Sequence, residues 1–207
     1  MKILVTGFEP FGGDTRNPAL EAVEQASAPE GAELVRMQVP TVFVESIRVV
    51  TEAIEKEKPD AVIMVGQAGG RSGITPEKVA VNWQDARIPD NAGYRPEDCP
   101  VVPDGPAAYF STLPVNRIRQ ELADAGIPAA ISLSAGSYVC NHLFYGVMHD
   151  LAEKGLDIPA GFIHVPFMTE QLSPERRIKA ASMPLADIVR GLDICVKVVC
   201  RELSAKL

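Results

Sequence analysis

The sequence predicts an α/β fold, a single-domain three-layer sandwich with a mostly parallel twisted sheet and helices on both faces. Three observations lead there. Short apolar runs alternate with segments of helical periodicity along the chain, a pattern that closes as parallel strands joined by covering helices. Hydrophobic residues make up 46% and charged residues 23% of the 207 positions, which is ordinary for a globular chain with one large core. No repeat, low-complexity tract or linker breaks the pattern, so residues 1–207 are expected to form one domain.

The elements follow in order. Residues 3–6 are an apolar run read as a strand, 18–26 a helix, and 34–39 a second strand. Residues 42–57 show helical spacing, and the uninterrupted apolar run 61–65 reads as a buried strand. Residues 78–83 read as a further strand. Residues 84–109 are rich in Pro, Gly and Asp and read as a long excursion, the kind of connection that in a compact domain often carries function. A helix over 115–125, a strand over 129–133, a helix over 138–154 and a strand over 161–165 complete the alternation. Ile188, Leu192, Cys195, Val196, Val199 and Leu203 mark one face of a closing helix.

Charge and composition exclude several classes of function. The net charge is −7 and no basic stripe is present, which argues against nucleic-acid binding. No apolar run approaches the ~20 residues of a membrane span, and Met1-Lys2 leads straight into a strand rather than a signal peptide. Cys99, Cys140, Cys195 and Cys200 form no C-x-x-C pair and no zinc spacing, so a reduced, cytoplasmic protein without a metal is expected. Cys195 and Cys200 read as packing residues, and Cys99 as incidental. The V-T-G-F-E-P-F-G-G loop lacks both the G-K-[ST] ending of a phosphate loop and the G-x-G-x-x-G of a dinucleotide site.

The chemistry concentrates in A-A-I-S-L-S-A-G-S-Y-V-C-N, residues 129–141. An apolar run, four small residues and a helix start place Cys140 in the first turn of a helix leaving the carboxyl end of a strand. Unpaired N–H groups and the dipole there stabilise a thiolate. Two readings remain open on this stretch alone: a nucleophile, or a buried inert cysteine. A nucleophilic thiol needs a base. His142 lies two residues on, so its side chain diverges from Cys140 by roughly 200°, and His149 sits near the far end of the same helix. His164 falls near the carboxyl end of the 161–165 strand, the edge at which sites assemble in open α/β sheets. The alternative is a satisfied core histidine.

Three separated segments carry a resemblance. They are T-G-F-E-P-F-G-G at 6–13, G-x-x-G-x-x-x-x-I-T-x-E-K-V-A-x-N at 66–82, and S-A-G-S-Y-V-C-N at 134–141. In order and spacing the chain resembles the type I pyroglutamyl peptidases, also called pyrrolidone-carboxylate peptidases. That resemblance implies a Cys–His–Glu triad removing an amino-terminal pyroglutamate, and it places Cys140 on the nucleophile, His164 on the base and Glu77 on the third member. It also implies peptide or protein substrates, no cofactor and a homotetramer.

The remaining candidates take their roles from that substrate. Pyroglutamate is a neutral lactam, so its pocket is expected to be aromatic-walled with a few hydrogen-bonding groups. Phe8 and Phe11, on the loop after the first strand, are the candidate ring walls; core packing of both is the alternative. Glu77 follows a glycine-rich loop and precedes an apolar run, which suits an enclosed carboxylate, although Lys78 beside it allows a solvated pair. Gln67, at the end of the 61–65 strand, is a candidate for contact with the lactam or the scissile carbonyl. Arg87 has two candidate roles: anchoring the excursion through Asp85 or Asp90, or stabilising oxyanion charge. Two rival functions are a cysteine-dependent glutamine amidase and a non-catalytic binding protein on the same sheet. The order Glu before Cys disfavours the amidase.

Overall fold

The computed structural model describes residues 1–205, apart from the side chains of residues 176–178, and shows the expected alternation. In chain order the elements are β1 (Lys2–Phe8), α1 (Pro18–Gln25), β2 (Glu33–Val39), α2 (Glu45–Glu57), β3 (Ala61–Gln67), β4 (Thr75–Pro76), β5 (Val79–Val81), β6 (Ala108–Phe110), α3 (Val115–Asp124), α4 (Val139–Glu153), β7 (Ala160–Val165), β8 (Phe167–Met168), α5 (Pro174–Lys179), β9 (Ser182–Met183) and α6 (Leu185–Ser204). The main sheet runs β2-β1-β3-β7-β4. Its pairings are parallel except for β4, which lies antiparallel to β7.

Packing explains why the inner strands read as unbroken apolar runs. Ile3, Val5, Ile63, Val65, Ile163 and Val165 turn to one face, where α1, α3 and α6 cover them. Leu4, Val62, Met64 and Phe162 turn to the other, under α2 and α4. With both faces covered there is no solvent side to alternate with, and each fully buried side chain of this size contributes about 1.5–3 kcal/mol. The edge strand β2 alternates over its second half, where half-buried Val35 and Met37 and buried Val39 are separated by exposed Arg36 and Gln38. Helix α4 is buried almost all round. It approaches α2 so closely that a methyl group on Gly146 would lie 2.1 Å from Ile47 Cδ1. Cys195 and Cys200 pack in the core beneath α6, as expected. Among the described residues no helix is long and apolar enough to cross a membrane.

One strand expectation needs correction. Residues 129–133 form no regular strand. They run parallel to the 74–77 segment with isolated bridges only, Ile74 to Ala129 and Glu77 to Ser132. Ala130 N–H donates to Ile74 O at 3.2 Å, Ser132 N–H to Pro76 O at 3.0 Å, and Lys78 N–H to Ser132 O at 2.8 Å. The bond that would join the two bridges needs an N–H at Pro76, which proline lacks. Residues 78–83 do contain a strand, but β5 pairs with β6 in a separate antiparallel hairpin rather than entering the main sheet. The tail of the excursion thus supplies β6, and a Gln84–Cys99 bridge ties its middle.

Candidate active site

Parallel pairing brings the carboxyl ends of β1, β3 and β7 to one edge, and a cleft of about 690 Å³ opens there. Cys140, His164, Gln67, Phe11 and Arg87 line it. His164, near the end of β7, is in register with Gly66 on β3 and Thr75 on β4. A methyl group on Gly66 would lie 3.1 Å from Cys140 Sγ and 2.7 Å from Phe162 Cζ, so only glycine lets helix α4 set the sulfur down on that part of the sheet. The sulfur and the imidazole therefore converge on one point of β3.

Behind His164 lies Glu77, with no exposed surface. Its Oε1 is 2.7 Å from His164 Nδ1. The backbone pins this residue from both sides: Glu77 N–H donates to Phe162 O at 2.8 Å, and the 129–132 segment bridges it from the other flank. The solvated Glu77–Lys78 pair is not formed; Lys78 Nζ sits 5.7 Å from the Phe110 ring centroid. Burial works to raise the Glu77 pKa, but the hydrogen bond and charge of His164, with Ser132 and Arg71 nearby, outweigh it and hold the carboxyl below its usual value. A carboxylate there fixes the imidazole with its proton on Nδ1, leaving Nε2 free to accept one.

The thiol corrects an expectation. The Cys140 helix has no side-chain cap at Tyr138, so first-turn N–H groups are available, yet the helix start does not make a resting thiolate. Burial pushes the thiol up to about 12, helped by the charge of Glu77, against the opposing pull of Arg71 and the residue's own backbone. Burial also lowers the His164 pKa, with Arg71 in the same direction and the Glu77 bond opposing. Desolvation thus works toward the neutral form of both groups, against the helix dipole.

The candidates for the substrate pocket divide. Gln67 ends β3 at the cleft, and its Oε1 accepts from Gln171 Nε2 at 2.9 Å, which leaves its own NH₂ to donate. Phe11 lines the cleft, its ring 5.9 Å from that of Tyr138. Phe8 does not: only 2% exposed, it packs in the core against Phe162 at 6.3 Å. Strand β1 runs on to Phe8, so this side chain turns to the face that buries Leu4. The other aromatics of the cleft are Phe167 and Tyr138, whose hydroxyl donates to Pro89 O at 3.0 Å. The signal for Tyr138 was its position two residues before the cysteine. Arg87 is an exposed cleft residue. It anchors nothing through Asp90, whose oxygens accept from the N–H groups of Phe43, Ala92 and Tyr94.

Sequence reasoning missed three residues here. Arg71 donates to Glu77 Oε1 at 2.6 Å. Asn141 reads the backbone at the end of β5, accepting from Val81 N–H at 3.0 Å and donating to Val81 O and Trp83 O at 2.9 Å, which fastens the cysteine helix to the chain just before the excursion. His142, turned away from the cleft, accepts from Val44 N–H through Nε2 at 2.8 Å and meets Gln84 Oε1 through Nδ1 at 2.7 Å. Val44 has φ 62° and ψ −53°, and Glu45 N–H reaches back to Phe43 O at 2.6 Å. This is the positive-φ γ-turn, rare and strained for a β-branched residue, so His142 buttresses a costly turn.

Burial lowers the His142 pKa from 6.5 to about 4, against the charge of Asp90. The unfolded chain takes up this proton as pH falls through 6.5, while the folded chain resists until about 4, so stability present above 6.5 is lost across that window. The loss should reach about 3 kcal/mol at most. Denaturant unfolding at pH 7, 5 and 4 should show His142→Gln losing less stability than the parent; parallel declines would remove His142 from the effect.

Fold and cleft together point to a hydrolase that works through a thiol. The chain belongs to the pyroglutamyl peptidase family, whose sequence model matches residues 1–202. It is 52% identical over 200 residues to the pyrrolidone-carboxylate peptidase of Lactobacillus johnsonii, covering 96% of this chain and 92% of that one. The enzyme of the same name from Vibrio parahaemolyticus is also 52% identical, with the same coverage. The crystal structure of Bacillus amyloliquefaciens pyroglutamyl peptidase I superposes with a TM-score of 0.93 at 46% identity, over 98% of both chains. That of pyrrolidone carboxyl peptidase from Pyrococcus furiosus does so with 0.92 at 43%, over 98% of this chain and all of the other.

Proposed function

We propose that this protein is a cysteine exopeptidase that hydrolyses the bond after an amino-terminal pyroglutamate of peptides and proteins, within one catalytic domain spanning residues 1–207. Family membership supports the activity. The observation that carries the mechanism is the buried Glu77–His164 pair, 2.7 Å apart, opening onto the cleft that holds Cys140.

His164 Nε2 takes the thiol proton as Cys140 Sγ attacks the carbonyl joining pyroglutamate to the next residue. With burial favouring the neutral thiol, proton transfer accompanies attack, and Glu77 balances the imidazolium as it forms. First-turn N–H groups of α4 hold the oxyanion, each such donor contributing about 3 kcal/mol. His164 then protonates the leaving amine. Water, deprotonated by the same imidazole, opens the thioester, and the thiol regains its proton. Side chains and water suffice, with no metal or organic cofactor. A cytoplasmic location accords with four free cysteines, and a homotetramer with the family resemblance.

Specificity follows from the walls. A lactam carries no charge, so a pocket built for it leaves the ammonium and carboxylate of an amino-terminal glutamate desolvated and unpaired. A prolyl amide presents a cationic amine and lacks the ring carbonyl. Kinetics on pyroglutamyl, prolyl and glutamyl fluorogenic amides should show cleavage of the first alone; comparable cleavage of all three would sink the lactam reading. Phe11→Ala should raise KM for the pyroglutamyl amide about tenfold. Phe8→Ala should instead destabilise the fold by about 3–5 kcal/mol, the cost of a core cavity.

A further inference from the structure

Arg71 stands in the loop between β3 and β4, and the reaction as written gives it no part. Its contacts are unusual for a residue in a glycine-rich loop. Nη1 donates to Glu77 Oε1 at 2.6 Å, the same oxygen that meets His164 Nδ1 at 2.7 Å. The same nitrogen reaches Thr75 Oγ1, and Thr75 is the register partner of His164. Nη2 donates to Ser134 O at 3.0 Å, in the connection that leads into α4 and Cys140. One guanidinium thus touches the acid, the strand beside the base and the loop that delivers the nucleophile.

We propose that Arg71 is a positioning residue that locks Glu77 against His164, fastens that pair to the Cys140 loop, and sets the charge balance of the relay. The inference rests on the assignment of Cys140, His164 and Glu77 above. A rigid planar fork suits this work, since it satisfies a carboxylate and a carbonyl at once where an ammonium is a single point charge. The electrostatic consequence is uniform. The Arg71 cation favours the ionised carboxylate of Glu77, the neutral imidazole of His164 and the thiolate of Cys140. Each is the form that the attack requires. The titratable and charged groups around the imidazole are Glu77 after β4, Arg71 before it and Cys140 from α4, with Asp14, Asp85 and Arg87 elsewhere in the cleft wall. Among the described residues, Arg71 is the cation bonded to the relay.

The test compares the native enzyme with Arg71→Met and Arg71→Lys. Each is followed by kcat and KM for a pyroglutamyl amide against pH, and by the rate of iodoacetamide alkylation of Cys140, read by peptide mapping. Removing the charge should move the acid limb of kcat/KM to higher pH by about half a unit or more, because the imidazolium loses a repelling neighbour. It should lower kcat about tenfold or more with KM within about twofold, and slow alkylation of Cys140 at a given pH. Arg71→Lys should keep the acid limb near its native place yet lose part of kcat, because one ammonium cannot span Glu77 and Ser134. Folded variants, checked by circular dichroism, that keep the native acid limb, kcat and alkylation profile would overturn the role. If Arg71→Met fails to fold, a lysine variant with native kcat does the same. A native enzyme inactive on the amide would instead strike the parent reading, and the alkylation profile would still report on Arg71.

Discussion

Replacing Cys140 by alanine should lower kcat by about 10⁴-fold or more while leaving the fold intact. The side chain is small, lines the cleft and only flanks the core cluster beneath α4, so its loss removes a single sulfur from the packing and all of the chemistry assigned to it. Iodoacetamide should reproduce the effect on the native enzyme, with activity loss tracking alkylation of Cys140. Cys195 and Cys200 lie in the core, away from the reagent, and Cys99 meets the amide of Gln84, whereas Cys140 lines the cleft beside His164. Peptide mapping of half-inactivated protein settles the matter; inactivation that follows another cysteine would displace Cys140 as the nucleophile.

Glu77→Gln should cost about a thousandfold in kcat, less than loss of the thiol or of His164. The amide can still accept from Nδ1, so the tautomer survives in part. What disappears is the negative charge that balances the imidazolium, and its loss leaves Arg71 as an unopposed cation 2.6 Å from the same position. The pH profile gives the change a signature. In the native enzyme burial places the His164 pKa below its ordinary value, so the acid limb of kcat/KM should lie below pH 6.5. Glu77 raises that pKa, so its neutralisation should move the limb lower still, opposite to the shift expected for Arg71→Met. Native kcat in the glutamine variant would remove Glu77 from the mechanism.

Much of this was readable in the chain, for reasons that can be traced. Strands covered on both faces announce themselves as apolar runs, and His164 and Gln67 fall at their ends, so the edge that carries the site was legible. Residues 129–133 misled because they have the composition of a strand and lie in its place, while the proline that breaks the pairing is on the neighbouring segment. Phe8 and Phe11 are indistinguishable as a pair of loop aromatics until β1 is seen to continue through Phe8. The two-residue strands β8 and β9 exist through tertiary contact and leave no local pattern. An arginine among glycines reads as solvent-facing, and only its partners 6 and 63 residues away make it part of the site. The thiol was misjudged because helix position is visible in sequence and desolvation is not.

The pairings that hold Glu77 have a last consequence, for the order in which competence arrives. Glu77 is placed by β7 on one side and by the 129–132 segment on the other, and a slip of one residue would present Lys78 or Pro76 where the carboxylate belongs. Neither neighbour is local in sequence, and the base that Glu77 orients is 87 residues away. Long-range pairings of this kind form late, after their closure entropy has been met. Until they do, Cys140 lacks both its proton acceptor and the counter-charge behind it. On the proposed mechanism, a nascent or partly unfolded chain therefore carries an unarmed cysteine, and hydrolytic power arrives only with the finished sheet.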